Sequence, residues 1–158
     1  MNHDAMMRLA IEEAQKALLH NDVPVGAVLA IDNTVVATAH NQREQLGDPT
    51  AHAELLCIQQ AAKQLGTRRL QEATLYVTLE PCPMCAGALI MAQIQRCYFG
   101  ASDARQGCCE SLYALPKDPA FFHRLPCIGG LLEAECARLL TQFFSSKRNT
   151  KERTDGIT

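Results

Sequence analysis

Two short segments of the chain carry residues that could bind a metal ion and activate a water molecule beside it. His52 and Glu54 lie in the segment HAE, and Cys82 and Cys85 lie in the segment PCPMC. An imidazole and two thiolates are ligands that suit zinc. A structural zinc has four protein ligands, whereas a catalytic zinc keeps its fourth position for water. The ligand count of three therefore predicts a catalytic metal site.

Glu54 is predicted to move protons at this site. Zinc lowers the pKa of a bound water, so that hydroxide is available at neutral pH. Attack of hydroxide on a ring carbon that bears an amine needs a carboxylate to carry the proton from the water to the ring nitrogen. Glu54 is the only acid in the two segments. The H-x-E and P-C-x-x-C pattern is a known signature of zinc-dependent nucleobase deaminases, so it predicts hydrolytic deamination.

The neighbouring sequence predicts the elements that bring the two segments together. Asp48-Pro49-Thr50 is typical of a helix start, and that helix is expected to run to about Leu65 and to end at Gly66. Residues 73–80 favour a strand, and Pro81 introduces a turn into a helix that begins near the cysteines. A helix N-terminus favours a thiolate over a thiol. Two helix starts at one edge of a sheet would place all four groups side by side.

The remaining elements alternate between helix and strand. They are expected to be a helix from Asp4 to about Leu19, a hairpin of strands Val25–Ile31 and Thr34–Ala39 that turns at Asp32-Asn33, a helix from Cys82 to about Ile94, a strand from Arg96 to Ala101, a loop from Ser102 to Pro119, one more strand within His123–Ile128, and a last helix from about Leu131 to Phe144. This order predicts an α/β fold in which helices cover both faces of the sheet.

Composition indicates one domain with a reduced interior. The chain has 158 residues, 47% of them hydrophobic, which is enough for a core in one domain. We expect that domain to span residues 1–148 and a polar, disordered tail to span 149–158. The chain shows no membrane-length apolar run and no signal-peptide pattern, so we expect a cytoplasmic protein. Cys57, Cys97, Cys127 and Cys136 lie in apolar segments, where reduced, buried thiols are the ordinary state.

The charge of the chain neither supports nor excludes a nucleic-acid partner. The formal net charge is −2, but a local basic patch can still bind a polyanion. The candidate patch is C-terminal and includes Lys147 and Arg148, although charge alone favours a solvated tail. Of Phe143 and Phe144, we expect one to face the core and the other to be a candidate for stacking on a base.

Several blocks of the sequence resemble the bacterial tRNA-specific adenosine deaminases of the cytidine/deoxycytidylate deaminase superfamily. The blocks are VPVGAV from Val23, Asn41, DPTAHAE from Asp48, residues 73–92 (ATLYVTLEPCPMCAGALIMA), FGASD from Phe99, and Phe143-Phe144. Many deaminases share the HAE and PCxxC blocks, and the flanking blocks narrow the choice. The resemblance runs from about Val23 to Arg148. It implies a three-layer α/β/α cytidine deaminase-like fold with a mixed five-stranded sheet, and conversion of the wobble adenosine of a tRNA anticodon to inosine.

The resemblance also implies partners and binding residues. Members of this family act as homodimers whose active sites lie near the subunit interface, with one zinc ion per chain held by the His and the two Cys. Asn41 matches an asparagine that contacts the flipped nucleoside, and Val25 matches a wall of its pocket. Asp103 matches a residue near the adjacent nucleotide. Phe144 and Arg148 match the C-terminal helix that meets the anticodon stem-loop.

Residues at three sites depart from the family pattern, in loops that are expected to meet RNA. His40 stands where an aromatic residue, often Trp, usually precedes the asparagine. Gln42-Arg43 replaces the more usual Arg-Pro, and Cys108-Cys109 stands where small residues are common. These departures bear on fine specificity more than on chemistry.

Two other functions remain open at this point. A deaminase of a free base or nucleoside, such as guanine, shares the zinc core but does not need a basic C-terminal edge. A non-catalytic RNA-binding or scaffold subunit could keep zinc for stability alone. The presence of Glu54 argues against the scaffold, since a purely structural zinc site has no use for it.

Overall fold

A mixed five-stranded sheet forms the centre of the molecule in the computed structural model, which describes residues 2–155 and the side chains of residues 2–148. The strands are β1 Gly26–Ile31, β2 Thr34–His40, β3 Thr74–Leu79, β4 Arg96–Ala101 and β5 Cys127–Ile128. Their order is β2-β1-β3-β4-β5. β1 is antiparallel to β2 and β3, whereas β3, β4 and β5 are parallel. The predicted mixed five-stranded sheet is confirmed.

The β1–β2 hairpin turns where the sequence predicts. Asp32 and Asn33 both have positive φ, at 50° and 63°. Asn and Asp tolerate this left-handed conformation better than most residues. Two consecutive left-handed residues match the right-handed twist of the flanking strands. The turn therefore needs no glycine.

Helices cover both faces of the sheet. They are α1 His3–Ala17, α2 Arg43–Leu46, α3 Ala53–Leu65, α4 Pro83–Met91 and α5 Glu133–Asp155. One core cluster joins α3 and α4 to strand residues such as Leu29 and Val77, and a second joins α1 and α5 to residues such as Val28 and Tyr76. Alternate residues of a strand point to opposite faces, so the arrangement is the three-layer α/β/α fold.

Some boundaries predicted from the sequence are wrong. The helix predicted to start at Asp48-Pro49-Thr50 begins only at Ala53. The Asp48 carboxylate instead accepts hydrogen bonds from the backbone N–H and the hydroxyl of Thr50. Such a local side-chain turn competes with helix. The short helix α2 was not predicted, α4 ends before Ile94, and the strand expected within His123–Ile128 is only Cys127–Ile128.

The last helix is longer than predicted. α5 runs to Asp155 and does not end at Phe144. It therefore enters the segment 149–158, which the sequence assigned to a polar tail. Residues 156–158 lie outside the described residues, and the disorder of that tail stays a prediction.

The four cysteines predicted to be buried, Cys57, Cys97, Cys127 and Cys136, lie in the interior. None of the eight cysteines forms a disulfide within the described residues. Within residues 2–155, no helix is both long enough and apolar enough to cross a bilayer.

Candidate metal and catalytic site

The two motif segments meet because two helices begin at the same edge of the sheet. His52 is the N-cap residue of α3, and Cys82 is the N-cap residue of α4. The ligand atoms of His52, Cys82 and Cys85 all lie within 4.8 Å of one another. At this edge β1 begins and β2, β3 and β4 end. The predicted convergence of the three ligand side chains is thus present.

The spacing of the three side chains fits zinc. His52 Nδ1 lies 3.6 Å from Cys82 Sγ. In a tetrahedral site with ordinary Zn–N and Zn–S bonds, a nitrogen and a sulfur ligand lie about 3.5 Å apart. One imidazole and two thiolates also suit zinc better than Mg²⁺ or Ca²⁺, which prefer oxygen ligands. Donor chemistry and distance therefore agree with a site of three protein ligands.

Electrostatics at the site favour a thiolate at Cys82. The pKa of Cys82 is lowered to about 4, first by the hydrogen bond from the Cys85 thiol and then by His52, although burial acts in the opposite direction. The pKa of Cys85 is raised by its hydrogen bond with Cys82, and burial adds to this effect. The pKa of His52 is raised for the same reason, its hydrogen bond with Cys82. The Cys82 thiol is therefore deprotonated near neutral pH, as a metal ligand must be.

Glu54 lies beside these ligands in the first turn of α3. Its side chain is buried, with 4% of the residue exposed. Burial raises the pKa of Glu54 to about 7, while the helix backbone and His52 act in the opposite direction. A carboxyl group with a pKa near neutrality can both accept and return a proton. This is the property that a proton carrier needs.

A cavity of about 860 Å³ opens over the metal-binding group. The predicted site residues that line it are Val25, Asn41, His52, Glu54, Cys82, Asp103 and Phe144. Cys85 is fully buried, and it does not line the cavity. Arg148 is exposed outside the cavity, where its Nη2 donates to Ser145 Oγ at 3.4 Å. Except for Arg148 and the buried Cys85, the site residues predicted from the sequence all line this one cavity.

Asn41 also fixes the geometry of the site. Its Oδ1 accepts a hydrogen bond from Ala53 N at 2.9 Å, and its Nδ2 donates to Val23 O at 3.1 Å. The first bond satisfies a backbone N–H at the start of α3, which has no partner within the helix. Asn41 therefore ties the helix that carries His52 and Glu54 to the cavity wall.

Sequence reasoning missed three charged side chains that line the cavity, Arg43, Glu80 and Arg105. Arg43 pairs with Asp22 at 3.0 Å, and the Asp22 side chain is fully buried. In the sequence, Arg43 stands out only as a departure from the family pattern. Glu80 belongs to the block of residues 73–92, where an acid at the end of a buried strand was the available signal.

The two C-terminal phenylalanines face different surroundings, as predicted. Phe143 is buried and Phe144 is 44% exposed at the rim of the cavity. Lys147 Nζ lies 4.9 Å from the centroid of the Phe143 ring. Lys147 therefore contacts the buried ring, and Phe144 is the ring at the rim of the cavity.

Two of the three departures from the family pattern, His40 and Cys108-Cys109, do not line the cavity. His40 Nδ1 is 3.1 Å from Glu13 Oε2, and its side chain is 15% exposed. Cys108 and Cys109 are each 1% exposed and pack into the core. Only Arg43 of the third departure lines the cavity itself.

Comparison with known proteins gives consistent matches. The family model of the MafB19-like deaminases matches residues 1–143. The chain is 47% identical over 146 residues to the tRNA-specific adenosine deaminase of Bacillus subtilis (strain 168), which covers 92% of this chain and 91% of that protein. A structure solved in work on A-to-I editing by tRNA:A34 deaminases at the wobble position of transfer RNA matches with a TM-score of 0.83 and 44% identity, covering 86% of this chain and 99% of that chain. The guanine deaminase from Bacillus subtilis matches with a TM-score of 0.62 and 36% identity, covering 65% of this chain and 66% of that chain. Deaminases therefore account for each of these matches.

Proposed function

The chain belongs to the MafB19-like deaminases and, among them, to the tRNA-specific adenosine deaminases, and from this premise we propose that it converts adenosine to inosine at the wobble position of a tRNA anticodon. The observation that carries this proposal is the meeting of His52, Cys82 and Cys85 with the buried Glu54, beside one cavity that His52, Glu54 and Cys82 line. The cavity volume, about 860 Å³, falls in the range of small-molecule and cofactor sites. A single flipped nucleoside is a ligand of that class.

His52, Cys82 and Cys85 are the residues that would hold the zinc ion. When bound, zinc supplies an activated water at neutral pH. The Glu54 carboxylate takes a proton from the attacking water and passes it to a ring nitrogen of adenine. The water oxygen forms its bond to C6. Glu54 then carries the second proton of the water from that oxygen to the C6 amine, so that the C6–N bond breaks, ammonia leaves and a C6 carbonyl remains. Burial of Glu54 keeps its pKa close to neutrality, so that it serves in both directions.

The remaining predicted residues receive roles in binding under this proposal. Val25 and Asn41 would contain the flipped nucleoside, since both are buried residues of the cavity wall. Asp103 would contact the next nucleotide. The exposed ring of Phe144 is placed to stack on a base, and Arg148 follows on the same helix. Phosphate contacts by Arg148 would be sequence-independent and sensitive to salt.

We also propose a cytoplasmic homodimer. Large apolar side chains are strongly exposed on the single chain, among them Met91 at 68%, Tyr113 at 67% and Phe122 at 66%. Burial of such side chains against a second copy would remove apolar surface from water. Analytical ultracentrifugation of the purified protein tests this, and a monomer at micromolar concentration would contradict it.

A guanine deaminase is less supported. The likeness to the guanine deaminase from Bacillus subtilis covers 65% of this chain, compared with 86% for the tRNA:A34 deaminase structure. Both kinds of enzyme need the same metal group and the same proton carrier. The two functions are therefore separated by substrate and not by the chemical groups of the site.

The test is incubation of the purified protein with total tRNA, followed by sequencing for inosine at wobble positions. Free guanine and cytidine are assayed in parallel. Glu54→Ala should keep the metal and lose turnover by about 10²- to 10⁴-fold, whereas Glu12→Ala, which removes an exposed carboxylate from α1, should remain active. Turnover of guanine without any inosine in tRNA would overturn the proposal. Normal turnover in Glu54→Ala would remove Glu54 from the mechanism.

A further inference from the structure

We propose that Glu80 is a positioning residue that holds the loop of residues 102–111 in place as one wall of the substrate cavity. The inference rests on the proposed function, since it assigns the loop to substrate binding. Glu80 follows β3 directly and precedes the metal ligand Cys82 by two positions. It therefore stands between the metal group and the loop.

The Glu80 carboxylate is buried and lies at the centre of a ring of donors. The residue is 2% exposed. Its Oε1 accepts hydrogen bonds from Asp103 N at 3.0 Å and from the Ser111 hydroxyl. Its Oε2 accepts from the backbone N–H groups of Cys109, Glu110 and Ser111, at 3.2, 2.8 and 2.8 Å. Converging backbone N–H groups form an anion-binding concavity, and here the anion is a side chain of the protein.

These bonds hold the loop at both ends. Asp103 lies at its start, and residues 109–111 lie at its end, so a single carboxylate joins the two. Cys108 N adds a bond of 2.9 Å to Pro81 O. The segment that carries the first cysteine ligand and the loop are thus joined through both side chain and backbone.

Gly107 shows that the loop is closely fitted to this carboxylate. A Cβ added at Gly107 would overlap the carboxyl carbon of Glu80. Gly107 N also donates to Asp103 O at 2.8 Å, which closes the loop on itself. Even a methyl group at this position would move either the carboxylate or the loop.

The loop matters for substrate because it faces the cavity. Residues 102–106 line the same cavity as Glu54. The carboxylate of Asp103 is oriented by the loop, because its Oδ1 accepts from Arg105 N and Gln106 N at 3.0 and 3.2 Å. Loss of the Glu80 bonds would therefore misplace the wall that carries Asp103. The metal ligands would keep their own helix starts.

The test compares Glu80→Gln with Glu110→Gln in the full-length, zinc-loaded protein, using an anticodon stem-loop as substrate. A glutamine at position 80 puts an NH₂ group against backbone N–H donors, whereas Glu110 has an exposed side chain on the same loop and undergoes the same change of charge. Hydrogen bonds to a charged group are the stronger ones, so we expect KM to rise about ten- to a hundredfold in Glu80→Gln. We expect kcat to change less than KM, and the zinc content to stay as in the wild type. Glu110→Gln should behave as the wild type does.

A second measurement does not depend on activity. Hydrogen exchange of the full chain should be faster at the amides of Asp103 and residues 109–111 in Glu80→Gln, because these amides lose their acceptor. Gly107→Ala should show the same change in exchange and in KM. In the double variant Glu80→Gln/Gly107→Ala, KM should rise by less than the product of the two single increases, since both substitutions act on one loop.

The outcomes separate this inference from the proposed function. Unchanged KM and unchanged exchange in Glu80→Gln would overturn the inference while wild-type editing continues. Loss of zinc, or a fall in kcat alone, would show that Glu80 acts through Cys82, and this would also overturn it. If Glu80→Gln does not fold, Ser111→Ala decides the matter, since it removes one bond and should give a smaller rise in KM with faster loop exchange. Absence of tRNA editing in the wild type would refute the proposed function, and the exchange data would still test the loop.

Discussion

Replacement of Asp22 by asparagine should reveal how much a buried charge contributes to the stability of the structure around the site. Asp22 is 1% exposed, and its Oδ1 accepts from Val23 N at 2.8 Å and from Arg43 Nε and Nη2 at 3.2 and 3.0 Å. Its Oδ2 accepts from Glu44 N at 3.1 Å. Asparagine can keep the bonds of one oxygen, but it turns an NH₂ group toward Glu44 N and removes the charge opposite Arg43.

The loss of stability in Asp22→Asn follows from these contacts. An unsatisfied buried donor costs about 1–3 kcal/mol. Loss of the charge adds a smaller amount, because the side chain of Arg43 is 35% exposed and water screens part of the ion pair. We expect the free energy of unfolding to fall by about 2–4 kcal/mol in total. For a domain of this size, that corresponds to a fall in Tm of about 5–15 °C.

The difference in the free energy of unfolding between the wild type and Asp22→Asn should depend on pH. Burial alone would raise the pKa of Asp22, but hydrogen bonds from Glu44 N, Arg43 and Val23 N outweigh it and lower the pKa below its ordinary value of 3.8. A carboxylate whose pKa is lowered on folding stabilises the folded state above its unfolded pKa. That stabilisation is lost as the pH falls through the folded pKa. The stability gap should therefore be full at pH 7 and should narrow below about pH 4.

Urea denaturation of the wild type and Asp22→Asn at several pH values between 7 and 3 measures this gap. Asp32→Asn is the matched control, because Asp32 is exposed and has a positive φ that asparagine also tolerates. The control should stay within about 0.5 kcal/mol of the wild type. Equal stability of Asp22→Asn and the wild type at pH 7, or a gap that is as large at pH 3 as at pH 7, would refute the reasoning.

Three further predictions concern the metal, the packing of α1 and the C-terminal helix. Cys82→Ala should lose zinc by metal analysis while Cys57→Ala keeps it, and normal zinc in Cys82→Ala would show that the ligand assignment is wrong. Gly26→Ala should lower the free energy of unfolding by about 1–3 kcal/mol, because its Cβ would overlap the backbone of α1. Gly87→Ala is the control, because there is open space around Gly87. Equal melting temperatures of the two variants would contradict the close approach of β1 to α1. Truncation after Phe143 should keep zinc and weaken tRNA binding, with a salt slope flatter by about 0.7 for each lost phosphate contact and a less salt-sensitive loss of about 1–3 kcal/mol for a stacked base. A truncated protein that melts normally and still edits tRNA like the full chain would remove the C-terminal helix from recognition.

The chemistry of the site could be predicted from the sequence because it depends on residue types at short spacing. His52 and Glu54 are two positions apart, and Cys82 and Cys85 are three apart, so each pair belongs to a single helix start. The hairpin at Asp32-Asn33 was predictable for the same reason, since two adjacent residues determine the turn. Local patterns of this kind predict the same local structure and chemistry wherever they lie in the fold.

Only the tertiary structure decided which buried charges pair and what they hold in place. Glu80 accepts hydrogen bonds from residues 23 to 31 positions away in the chain, and Asp22 and Arg43 are 21 positions apart. A buried carboxylate is tolerated only where donors satisfy it, and donors that distant come together through the packing of strands and loops. The sequence around Glu80 contains no local sign of its partners, because backbone N–H groups are the same at every residue. The choice between Phe143 and Phe144 as the exposed ring likewise depended on how α5 lies on the sheet, since the two residues are adjacent on a helix and only packing decides which face is covered.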